Sequence, residues 1–211
     1  MKLVWAMAMI GVLQAGPARA ADWKIEPQHS TASFTVKHYM VTKVRGVFGK
    51  LTGTVHQDEQ DLSKSTVDVT IPAGDIDTRE PRRDEHLKSA SFFDVKKFPE
   101  IRFTATRVEP AGKNRLRVVG NLTLHGITRP VELAVELGDK VWKDTFPEHG
   151  ESGRLHWGVT ATTHLNRKDF GLTWNISPGE FKYVETGGVV IGDEVAVELD
   201  LELVRPAPVS S

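Results

Sequence analysis

The chain contains no cysteine, so it has no disulfide, no thiol nucleophile, no Cys-ligated metal and no cysteine to carry a lipid anchor. Its core must hold the fold unaided. Long apolar runs are missing too: the stretch from Leu3 to Leu13 falls well short of the about 20 residues that span a bilayer. Charge of one sign is equally scarce, with 27 basic and 28 acidic side chains interspersed for a formal charge of −1. That balance offers no electrostatic footprint for nucleic acid. Catalytic signatures are absent as well. There is no G-x-S-x-G elbow and no H-E-x-x-H. The eight histidines (His29, His38, His56, His86, His125, His149, His156, His164) never fall two apart on a strand or four apart on a helix, as metal ligands on one face would. Gly46 to Gly53 lacks the Lys-Ser/Thr ending of a phosphate loop, and Asp169-Phe170-Gly171 stands without the other parts of a kinase. The expectation is a protein that is not an enzyme and that needs no metal or cofactor.

What is present begins with a leader. Lys2, the short apolar run and the small-x-small triplet Ala18-Arg19-Ala20 predict a signal peptide over 1–20, hence an exported chain with no stable membrane anchor. Removing Lys2 and Arg19 with it leaves 25 basic against 28 acidic residues, a charge of −3. The expected domain covers 21–204, and the Pro-containing residues 205–211 are read as a loose tail.

Most of the chain alternates apolar with polar residues, the period of half-buried strands. Ala32, Phe34, Val36 and His38 share one face against Ser33, Thr35 and Lys37. Val67, Val69 and Ile71 do the same before Pro72, and Ile101, Phe103 and Ala105 alternate with Arg102, Thr104 and Thr106. Later faces are Leu116, Val118, Leu122 and Leu124; Val131, Leu133, Val135 and Leu137; Leu155, Trp157, Val159 and Ala161; and Val195 to Leu203. Gly126 predicts a tight hairpin turn, while Gly46, Gly49 and Gly53 read as bends where a sheet curls. About eight strands without interleaved helices describe an antiparallel sandwich or an up-and-down barrel, and strands of this length favour the barrel. Alternation leaves open whether the interior is filled or hollow.

Alternation stops between Thr78 and Ile101. Pro81, flanked by Glu80 and followed by Asp84 and Glu85, predicts a short helix ending near Ser89. Phe92, Phe93 and Phe98 then form an aromatic hook stopped by Pro99. Two stretches are long and irregular: Gly138 to Gly153, with Trp142 and Phe146 expected as anchors, and Leu165 to Gly188, which contains Trp174.

The segment R83-D84-x-H86-L87-x-S89-x-x-F92-F93-D94-V95-x-x-F98-P99-x-I101 resembles the signature of the YceI-like, polyisoprenoid-binding family. Blocks in the same order support the resemblance: His29-Ser30 with Phe34-x-Val36-Lys37-His38; Val44-Arg45-Gly46-x-Phe48; Gly120-x-Leu122-Thr123-Leu124-His125-Gly126-x-Thr128; Asn166-Arg167-x-Asp169-Phe170-Gly171; and Ile191-Gly192-Asp193-Glu194-Val195. Where that family often carries an aromatic after the second long strand, this chain has Leu51, a change expected to alter lumen volume.

The resemblance implies an all-β, eight-stranded, lipocalin-like antiparallel barrel with one short helix near residues 80–89. It implies periplasmic location and an apolar tunnel that holds an isoprenoid chain or quinone. Other amphiphiles, such as fatty acids or their amides, are the alternative ligands. A hydrolase or isomerase using His38 or Asp169 is the alternative of another class. Partners are thus expected to be lipids and not nucleic acid, with a homodimer also considered. The expected tunnel wall comprises Phe34, Val36, Phe48, Val69, Ile71, Phe103, Leu122, Leu124, Trp157 and Val159, with Phe92 and Phe93 pinning the helix as its cover and Phe170 as a further ligand contact. His38, Arg83, Asn166, Arg167 and Asp169 are the expected head-group contacts.

Overall fold

The computed structural model describes residues 20–144, 153–175 and 190–207; most of the leader, Phe146 and the last residues of the tail lie outside them. Twelve strands form one sheet, and their pairing resolves into eight long walls. The first wall is β1 (Ala20–Ile25) and β2 (Thr31–His38), interrupted where Pro27 lacks the N–H a ladder needs. The second is β3 (Thr42–Phe48) and β4 (Thr52–Asp58), interrupted at residues 49–51. These walls pair along both halves, with a register change at the break: Trp23 faces Val55, and Phe34 faces Gly46. The third wall is β5 (Thr66–Pro72) and β6 (Ile76–Asp77), separated by a 3-10 turn at Ala73–Asp75 and paired to β4 and β3 in turn.

Five unbroken partners follow in chain order. β7 (Glu100–Gly112), β8 (Arg115–Leu124) and β9 (Ile127–Leu137) form a meander, and β11 (Arg154–Asn166) pairs with β9 on one side and β12 (Ile191–Pro206) on the other. β12 then pairs with both β1 and β2, which closes the barrel. The expected eight-stranded antiparallel barrel is the observed one. Between β9 and β11, the short β10 (Trp142–Lys143) rides on the edge of β11. Trp142 is 68% exposed there, so it does not anchor its loop as expected. The edge pairing uses its backbone and leaves its side chain in solvent.

Local chemistry explains the junctions. The break after β1 is stitched to β12: Glu26 N–H donates to the Glu202 carbonyl, and Glu202 N–H donates to the Ser30 hydroxyl. His125 and Gly126 both have positive φ (51° and 73°), as a two-residue turn of the primed type requires. The helix α1 (Pro81–Lys88) starts with proline in its first turn and is capped by the Glu80 carboxylate, which accepts from the backbone N–H of Arg82 and Arg83.

Gly46 and Gly53 prove to be sites of close approach rather than bends. A Cβ on Gly46 would lie 2.4 Å from the Phe34 ring, and one on Gly53 would lie 2.3 Å from the Asp68 carbonyl oxygen. Gly120 serves β8 in the same way, with Phe103 Cζ at 2.4 Å and the Thr104 carbonyl oxygen at 2.5 Å from the Cβ position. Because backbone as well as a ring would have to move, Gly120→Ala should cost about 1–3 kcal/mol. A lower midpoint in urea unfolding, with the slope unchanged, is the expected result.

Candidate functional site

The barrel encloses an apolar cavity of about 540 Å³. Inward positions of successive strands make its wall, because alternate side chains of a closed sheet must point inward. Phe34 and Val36 of β2, Phe48 of β3, Val69 and Ile71 of β5, Phe103 of β7, Leu122 and Leu124 of β8, and Trp157 and Val159 of β11 all stand on it. The expected wall omits β9 and β12, although the same alternation marks them; Val131, Leu133 and Val135, with Val195, Val197 and Leu199, complete the circuit. Leu51 is fully buried but is not part of the wall. Its side chain packs behind the lumen surface.

The two ends differ. At one end Trp23 is buried against Trp157, with ring centroids 5.5 Å apart; its indole N–H donates to Gln57 and the Arg205 guanidinium lies over its ring. Leu62, from a 3-10 turn at Leu62–Lys64, also reaches the lumen there. At the other end stand the only exposed lining residues among those described: Lys37, Tyr39 and His86. This end is the mouth.

Three pieces frame it. The β2–β3 tip contributes His38 and Tyr39, whose rings meet edge to face at 4.5 Å. Helix α1 turns Arg83, His86 and Leu87 inward, the i, i+3, i+4 spacing of a single helix face. Phe92 and Phe93 follow it into the lumen, Phe93 against Phe48 at 5.7 Å. Phe98, the third ring of the hook, instead packs on His125 at 4.7 Å, where it braces the β8–β9 turn. The segment after β11 supplies Phe170, Leu172 and Trp174. Trp174 meets His86 at 4.8 Å and Phe92 at 5.2 Å. Neither Trp174, His86 nor Tyr39 was expected at the site; the one available signal was aromatic content in segments that lack alternation.

The expected head-group contacts separate into two groups. His38, Arg83 and Arg167 reach the lumen, whereas Asn166 and Asp169 do not. The Asn166 side chain caps the 3-10 turn Arg167–Phe170 by accepting from Lys168 N–H, and Asp169 is exposed. His38 and Asp169, the residues of the hydrolase alternative, are thus not brought together in the lumen. Arg83 is partly engaged: its Nε donates to the Thr78 hydroxyl at 2.7 Å and its Nη2 to the Thr78 carbonyl at 2.8 Å, while that hydroxyl donates to Asp84. No group of three or more His, Asp or Glu side chains among the described residues is arranged to hold a metal ion.

Arg167 is 5% exposed and is the most heavily bonded side chain at the mouth. Nε donates to the Gly192 carbonyl, Nη1 to those of Leu172 and Trp174, and Nη2 to the Ile191 carbonyl and the Asp193 carboxylate. These account for all five guanidinium N–H groups. Burial pulls its pKa below the ordinary arginine value, and the Asp193 charge pushes it back up. Its donors are spent on holding residues 171–174 to the start of β12. Arg167→Lys retains the charge but loses the planar fork and leaves buried carbonyls unpaired, so it should destabilise by about 2–4 kcal/mol. Urea unfolding measures the loss; an unchanged midpoint would show that the guanidinium does not hold the mouth together.

Residues 23–203 match the model of the YceI-like domain. A Protein YceI from Salmonella newport (strain SL254) is 38% identical over 168 residues, which cover 77% of this chain and 82% of that protein. Burkholderia cenocepacia BcnA shares the fold with a TM-score of 0.64 at 21% identity, over 86% of this chain and 99% of that one. A polyisoprenoid binding domain from Saccharophagus degradans does so with a TM-score of 0.56 at 15% identity, over 88% and 98%. By a match that spans nearly the whole barrel, the chain belongs to the YceI-like family.

Proposed function

We propose that this protein is an exported carrier that sequesters an isoprenoid lipid, a polyprenyl chain or an isoprenoid quinone, in the barrel lumen. Its leader would direct it to the periplasm. One observation carries the reading: a closed barrel whose interior is apolar and unfilled. Protein interiors pack as densely as organic crystals. A lumen of about 540 Å³ leaves its lining side chains short of partner atoms. Apolar walls hold water poorly, so an apolar occupant recovers what packing lost. Each buried CH₂ contributes about 0.8 kcal/mol, opposed by the cost of ordering the chain.

The polarity of the ends supports an amphiphile. The tail would lie toward Trp157, and a head group would sit among Lys37, His38, Tyr39 and His86. The ligand class described for the Saccharophagus domain is the one proposed here. No step in this role requires a bond to be made or broken, so the protein acts as a carrier rather than a catalyst.

Protein purified without detergent is expected to release an organic-extractable isoprenoid, identified by mass spectrometry. Titration with a short-chain prenol or ubiquinone should also change tryptophan fluorescence, because Trp157 and Trp174 line the lumen. Neither a co-purified lipid nor a fluorescence response would overturn the reading, and a fatty acid in the extract would redirect it. Replacing Phe92 and Phe93 together by alanine removes two rings from the cover. It should speed ligand release about tenfold, the equivalent of about 1.4 kcal/mol; stopped-flow displacement measures it.

A further inference from the structure

The tip of the β2–β3 hairpin breaks two rules of soluble hairpins. It projects three large apolar side chains in a row into solvent: Tyr39 is 43% exposed, Met40 54% and Val41 81%. Tyr39 and Met40 also have φ of 48° and 61°, the left-handed region in which Asn-Gly is favoured and bulky residues are rare. Behind this tip, Lys37 and Lys43 are directly opposed across the hairpin, and Arg45 follows on the same outward face. Like charges so placed repel. No carboxylate among the described residues forms an ion pair with any of the three. Tyr39 and Lys37 also line the lumen, so the tip and its basic collar stand at the mouth.

We propose that this tip docks on the surface of an anionic bilayer, with Met40 and Val41 entering the headgroup boundary and Lys43 and Arg45 meeting lipid phosphates. Exposed apolar side chains backed by cations are the chemistry of interfacial binding. The mature chain carries a net charge of −3, so an anionic membrane repels it as a whole and attracts it locally through this basic collar. That orientation turns the mouth toward the lipid. The purpose of the contact rests on the carrier reading above; the geometry of the contact does not.

The test uses the mature chain and flotation with vesicles of equal parts phosphatidylethanolamine and phosphatidylglycerol, with phosphatidylcholine vesicles as reference. The wild type should float with the anionic vesicles, less so as salt is raised, and not with the reference. Met40→Gly/Val41→Ser suits the positive φ at position 40 and removes the apolar tip, so it should keep the melting temperature and lose binding at least tenfold. Lys43→Gln and Arg45→Gln should each lose about fivefold.

Equal flotation with both vesicle types, or full binding by the Met40→Gly/Val41→Ser variant, overturns the proposal. So does a dimer, seen by light scattering, that the same variant dissolves without any vesicle binding, since a second copy would then cover the tip. Parallel titration with a short-chain ubiquinone separates the two readings. Vesicle binding by a protein that yields no isoprenoid and binds neither prenol nor ubiquinone leaves docking standing and removes the carrier; isoprenoid binding without vesicle binding does the reverse.

Discussion

The pairing of β11 with β12 is the constraint on which the molecule depends. All thirteen residues of β11 are in register with β12, from Arg154 opposite Pro206 to Asn166 opposite Glu194. That pairing joins the last two walls, and β12 in turn takes both halves of the first wall on its other edge. Without it the sheet would be an open ribbon with an apolar face and two unpaired edges, a template for aggregation. With it the apolar face is enclosed. A hollow interior denies the fold the cross-core packing that usually supplies stability, so continuous ladders and the buried residues between neighbouring walls must compensate.

The mouth is made of three pieces held by three kinds of interaction. The hairpin tip depends on backbone conformation. Helix α1 depends on the Glu80 carboxylate at its start and on the Thr78–Arg83–Asp84 bonds that tie it to the chain entering it. Residues 171–174 depend on Arg167, which donates to the Leu172 and Trp174 carbonyls and, with its three other bonds, reaches Ile191, Gly192 and Asp193 at the beginning of β12. Charged groups at the mouth thus fix backbone even where they reach the lumen, while rings and aliphatic side chains make up most of its wall.

Much of this was legible in the sequence, and the gaps have physical reasons. Alternation located the walls because each has one wet face and one apolar face. Pro81 and the acidic residues beside it marked the helix, and Gly126 the turn. The breaks at residues 26–30, 49–51 and 73–75 were not read as interruptions within single walls. Whether two short strands continue one another is decided by the neighbour they share. Gly46 and Gly53 looked like bends because a missing side chain gives no hint of what fills its place. The bracing role of Arg167 was not legible because its partners are mostly backbone carbonyls, which leave no trace in composition. Asn166 and Asp169 sat in the same block of sequence, but one serves as a cap and the other faces solvent.

The contact between Trp174 and the pair His86 and Phe92 has a consequence for motion. It joins α1 to the segment after β11 ring to ring, and each such pair contributes about 0.5–1.5 kcal/mol. Contacts of that size are small beside the ladder of thirteen pairs between β11 and β12. Loss of either ring should therefore loosen the cover without loosening the wall that encloses the lumen.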